Sequence, residues 1–203
     1  MNAAPPPERL ADWLAAYERR VAALAAALGE RACRRVGVPV PHGAGRAWYG
    51  ARAAWLGAPA PLSGFAAHAN RLALLDEDAL PRVLAALRLY PARGALRRIV
   101  SGAQRRLLAG AVGEQAFDAL VRLGLQAPGA DAAPPAEAAD GTLAAAGHAM
   151  LVADRALTLD VAARLVSLTL QHAADARPAA TGASTPFLAD AALIFPEFTW
   201  LFG

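Results

Sequence analysis

The sequence predicts an all-α protein, an irregular orthogonal helical bundle of about seven to nine helices. Three observations lead there. Apolar residues recur at three- and four-residue steps along most of the chain. β-branched residues are sparse, and no run alternates with period two as a half-buried strand would. Clusters of Gly and Pro cut the periodic stretches into helix-sized pieces.

The clearest period lies at residues 8–28. Leu10, Trp13, Leu14, Tyr17, Val21, Leu24 and Leu28 fall on one helical face, with Asp12, Glu18, Arg19 and Arg20 on the other, and Gly29 is placed to end the helix. Residues 30–36 read as a short turn or helix and 37–45 as a Pro/Gly loop. Trp48, Tyr49, Trp55 and Leu56 point to a second helix before another loop at 57–64. Residues 66–75 read as helical and run into Asp76, Glu77 and Asp78. That acidic cluster is placed to start a helix at 79–90, because carboxylates complement the open N–H groups there. Pro81 falls in the tolerant first turn.

Pro91, Ala92, Arg93 and Gly94 then break the chain. The next helix is expected to turn Leu96, Ile99, Val100, Ala103 and Leu107 inward, with most of its arginines on another face. Residues 114–123 bring Phe117, Leu120 and Val121 inward. Residues 126–141 are acidic and rich in Ala and Pro, and read as an exposed, mobile linker within a single domain spanning 1–203. Helices follow at 142–157 and 159–175, the latter with Val161, Leu165, Leu168 and His172 on one face. A loop at 176–185 precedes Pro186 and a last apolar helix. The chain then carries Phe195, Phe198, Trp200 and Phe202. With Trp13 and Tyr17 near the start, these aromatics imply termini that pack together or bind a partner.

A chain of 203 residues is long enough to bury a real core. Of these, 56 are Ala, so the mean hydropathy of +0.30 overstates the apolar bulk. All 20 basic residues are Arg, yet the net charge is only +3, which argues weakly for nucleic acid. Cys33 is the single cysteine, which excludes an intrachain disulfide and a thiolate-rich metal site. The N-terminal residues lack a basic start and apolar core, and no segment reaches the ~20 apolar residues of a membrane span. A soluble, intracellular protein is expected.

Chemical motifs are missing. His42, His68, His148 and His172 neither cluster nor form HExxH, so no metal or other cofactor is expected. Gly43, Gly45 and Gly50 miss the dinucleotide-loop spacing, and Ser63 and Ser101 lack a nucleophile elbow. The distinctive feature is electrostatic. Seven arginines (Arg82, Arg88, Arg93, Arg97, Arg98, Arg105 and Arg106) lie between Asp78 and Glu114 with no acid among them. Such a face is either a solvated helix surface or a site for carboxylates or phosphates, and Arg pairs bidentately with both.

Within residues 80–124, the order of apolar turns, Gly94, the Arg97-Arg98-Ile99 step and the Val112-Gly113-Glu114 step resemble the SctK family of type III secretion. The likeness runs from about residue 70 onward, through 143–157 and 159–170 to the apolar turn at 193–202. The resemblance implies a helical, non-enzymatic cytosolic adaptor of the sorting platform, peripheral to the inner membrane. Its partners would be an SctD-like inner-membrane ring protein and an SctQ-like pod protein, without a small-molecule substrate. Arg93, Arg97, Arg98, Arg105, Arg106, Trp200 and Phe202 are the expected partner-binding residues. Two other classes stay open: an Arg-rich nucleic-acid-binding regulator, and a small helical enzyme whose site assembles from His148, Asp154 and His172.

Overall fold

The computed structural model describes residues 6–36, 56, 61–126, 132–135, 141–170 and 180–203. Among these residues the fold is all-α, with no strand. Seven helices have 11 residues or more: α1 (Pro7–Val36), α3 (Ala79–Leu89), α5 (Gly102–Val112), α6 (Glu114–Gln126), α7 (Thr142–Ala153), α8 (Asp160–Leu170) and α9 (Ser184–Ile194). Three four-residue helices, α2 (His68–Arg71), α4 (Arg93–Leu96) and α10 (Thr199–Phe202), complete the set. Short 3₁₀ turns occupy Leu62–Ala66, Leu72–Leu74, Tyr90–Ala92 and Pro196–Phe198.

Helix α3 is the centre. Eight of its 11 residues are buried, and it packs against α5, α6, α7 and α8. Its N-terminus is held as the acidic cluster implied, with Asp76 Oδ1 accepting from the amides of Asp78 at 3.2 Å and Ala79 at 2.7 Å. The closest neighbour is α7, and Gly147 is the reason. A Cβ there would stand 1.9 Å from the Leu84 carbonyl oxygen, so only glycine lets the two backbones meet. Gly124 does the same for α6 against α4, where a Cβ would lie 2.2 Å from the Arg93 carbonyl oxygen.

Several boundaries differ from those expected. α1 runs through Gly29 to Val36. A glycine inside a helix costs only about 1 kcal/mol relative to alanine, and nothing after it turns the chain away. The stretch 66–75 is not one helix but α2 flanked by two 3₁₀ turns. Pro91 and Gly94 do not stop helical winding either, since a 3₁₀ turn passes straight into α4. The largest correction concerns the helix expected to carry Leu96 through Leu107. It is broken at 97–101, and Ser101 starts α5 by accepting the Gln104 amide on its hydroxyl at 3.3 Å. Leu96 is buried, but Val100 and Leu107 face solvent. α9 begins at Ser184, so Pro186 sits in its first turn rather than ahead of it. The helix expected around Trp48 and Trp55 lies outside the described residues apart from Leu56, which is buried. So does most of the expected linker. Of its described residues, Gln126 ends α6 rather than opening a linker, Gly141 leads into α7, and 132–135 meets α5 through Gln104, which donates to the Pro135 carbonyl at 3.3 Å.

Long-range polar contacts tie the helices together. Asn70 is fully buried and uses its whole amide. Its nitrogen donates to the Gly64 carbonyl at 2.7 Å and the Thr158 hydroxyl at 2.8 Å, while its oxygen accepts from the amides of Thr158 and Leu159 at 3.0 and 3.2 Å. Arg20 joins α1 to α8 through the Thr169 hydroxyl. Arg71 donates to the carbonyls of Phe65, Ala66 and Leu201 at 2.7–2.8 Å and lies over the Trp13 ring at 4.2 Å. Trp13 Nε1 reaches the Trp200 carbonyl at 3.5 Å, and Arg9 the Gly203 carbonyl at 2.5 Å. The start of α1 and the turn of α10 therefore pack together, one of the two outcomes expected of the aromatic ends.

Candidate interaction surface

The arginine strip is built on α4, the loop 97–101 and α5. Gly124 seats α4 closely on α6, and Leu108, Ala109 and Val112 bury the inner face of α5. The loop between them is thereby held outward. Val100 is 98% exposed at its tip, and Leu107 on α5 is 47% exposed.

The expected partner-binding residues do not all share one situation. Arg93 is half-buried, donates to the Tyr90 carbonyl at 2.9 Å and stacks over the Tyr90 ring at 4.0 Å. Tyr90 in turn donates its hydroxyl to Asp190 at 2.5 Å. Burial first, then that hydrogen bond, pushes the Tyr90 hydroxyl up to about 12, so it stays a donor at any physiological pH. Arg105 pairs with Asp118 at 3.1 Å and sits 5.2 Å from the centre of the Phe117 ring. Arg93 thus has partners within the fold, while Arg105 makes an exposed ion pair of small stabilising effect. Arg97, Arg98 and Arg106 are the outward members of the strip. At the other end of the chain, Trp200 is 40% exposed but Phe202 is buried in the core. Phe202 packs rather than presents itself.

Of the residues of the enzyme reading, Asp154 and His148 have structural partners. Asp154 spends its carboxylate on the start of α9, accepting from the amides of Thr181, Gly182 and Ser184 and from the Ser184 hydroxyl at 2.7–3.1 Å. His148 is buried on α7 with the Ser167 hydroxyl 3.5 Å from Nε2, and burial lowers its pKa. His172 lies outside the described residues. Among the described residues no group of His, Cys, Asp and Glu is placed to hold a metal, and no helix is long and apolar enough to cross a membrane.

Sequence reasoning missed Asn70 and Arg71, and it gave Asp154 a catalytic role where the structure gives it a structural one. Arg71 reaches Leu201 130 positions away and Asp154 reaches Thr181 27 positions away, so no local spacing marks those two pairings.

The model of one protein family, the bacterial type III secretion protein (HrpB4), matches residues 4–197. The chain belongs to that family. The HrpB4 match bears out the SctK-type resemblance and extends it, because it begins at residue 4 rather than near residue 70. Residues 4–65 are therefore part of the family's own pattern. Comparison with curated proteins and with solved structures finds no match. As a member of the HrpB4 family, the protein has a role in type III secretion.

Proposed function

We propose that this protein is a non-enzymatic, cytosolic adaptor of the sorting platform. It links an SctD-like inner-membrane ring protein to an SctQ-like pod protein, and it is held at the inner membrane through those partners. The observation that carries this reading is the outward arginine strip of 97–106 on a chain whose family works in type III secretion. An adaptor needs two contact surfaces. The strip supplies one, and Trp200, with its edge exposed beside the start of α1, supplies a candidate for the other. Asp154, the acid of the enzyme alternative, is used structurally, which favours assembly over catalysis.

The test is reconstitution with three purified components: this chain, the cytoplasmic domain of the ring protein and the pod protein from the same bacterium. Sedimentation velocity is expected to show each binary complex and a ternary one. Binding to one partner only, or competition between the two, would overturn the linking role.

A further inference from the structure

The outer face of α5 carries an apolar pattern that the core does not use. On α5 Ala103, Leu107 and Gly110 recur at steps of four and three and are exposed, and Val100, in the loop two residues before α5 begins, is 98% exposed. That is the spacing of a helix-pairing seam. It is also most of the pattern that predicts an inward face from sequence; the inward face of α5 is instead Leu108, Ala109 and Val112. Leu107 stands between two small residues, and a Cβ at Gly110 would meet nothing within 4 Å, so a neighbouring backbone has room to approach. Arg106 lies beside the seam on α5, and Arg97 and Arg98 in the preceding loop are exposed as well.

We propose that this seam docks one amphipathic helix of a partner protein, with an apolar stripe flanked by Asp and Glu. The inference rests on the adaptor reading and assigns it a surface. Charge selects the occupant. Exposed guanidinium forks near an apolar seam suit carboxylates beside an apolar stripe, because one element then meets both. A second copy of this chain, meeting face to face, would set arginine against arginine. A nucleic acid would engage the arginines but leave Val100 and Leu107 in water.

Three variants of the full chain test it by isothermal titration against the purified ring-protein domain and, separately, the purified pod protein. They are Val100→Ser with Leu107→Ser, Gly110→Leu, and Arg97→Ala with Arg98→Ala and Arg106→Ala. Each is expected to weaken binding of the same one of the two proteins at least tenfold, to leave the other binding unchanged, and to melt no earlier than the wild type. The arginine variant is also expected to flatten the salt dependence of that binding. Gly110→Leu decides if another variant misfolds, since it fills open space with a better helix former. Affinities within twofold of wild type in all three variants would overturn the seam and leave the adaptor reading standing. A wild-type chain that binds neither protein would overturn both. A dimer dispersed by the Val100 and Leu107 changes, or duplex DNA binding lost only in the arginine variant, would overturn the choice of occupant.

Discussion

Asp154 shows what one carboxylate does for this fold. Its oxygens collect the open amides at the start of α9 from a position 27 to 30 residues earlier in the chain. Burial pushes the group up, but the hydrogen bonds from the Ser184 hydroxyl and from the amides of Gly182, Ser184 and Thr181 outweigh it and hold it at about 2, below the ordinary 3.8. A carboxylate depressed in the folded state stabilises the protein above its unfolded pKa, and that stability is lost as pH falls towards the folded value. The contribution is on the order of 1–2 kcal/mol after allowing for partial exposure. Urea melts between pH 5 and pH 2 are therefore expected to show a loss in the wild type that Asp154→Asn lacks, with the variant already weaker at neutral pH. Parallel curves for the two proteins across that range would show that the carboxylate caps nothing.

At the scale of elements, two glycines in helices carry opposite expectations. Gly147→Ala would drive a methyl group into the Leu84 carbonyl and part α3 from α7, the most extensive helix contact of the fold. A cost of about 3 kcal/mol or more is expected, in the range of overpacked cores. Gly110→Ala meets open space on the outer face of α5 and is expected to stabilise by about 0.5–1 kcal/mol. Thermal melts of the two variants separate them, and a neutral Gly147→Ala would mean that the helices are not so close. Nothing in the sequence distinguishes these glycines. Periodicity makes most of the face of α1 legible, because Trp13, Tyr17, Val21 and Leu24 are buried where the three- and four-residue steps put them, although Leu14 is exposed and Arg20 is buried against Thr169. The same periodicity misassigned Val100 and Leu107, since an apolar stripe records that burial is needed and not whether the chain or a partner provides it. The ring and carboxylate contacts of Arg93 and Arg105 are equally hidden in the sequence, although Arg105 stays exposed. Their aromatic and carboxylate partners are fixed by how α4, α5 and α6 pack, which spacing along one helix does not encode.

The molecule as a whole is closed by its ends. Arg9, Trp13 and Arg71 occupy the carbonyls of Gly203, Trp200 and Leu201, the open acceptors of the last helical turn. Burial pulls the Arg71 guanidinium down to about 10, with Arg9 nearby adding to the effect; carbonyls rather than a carboxylate receive its N–H groups. Removing residues 199–203 strips Leu201 and Phe202 from the core and leaves a buried guanidinium N–H without its acceptor. A loss of about 4 kcal/mol or more is expected, with faster amide exchange at the start of α1 than elsewhere in that helix. Unchanged exchange there would show that the two ends are merely adjacent. The clasp also sets a condition on synthesis. Trp13 leaves the ribosome 187 residues before Trp200, a delay of about 10–40 s at bacterial rates of elongation. Over that interval the indole and the face beside it have no finished pocket to enter. The nascent chain must therefore shelter an aromatic helix start, by transient collapse or by a chaperone, until translation supplies the turn that covers it.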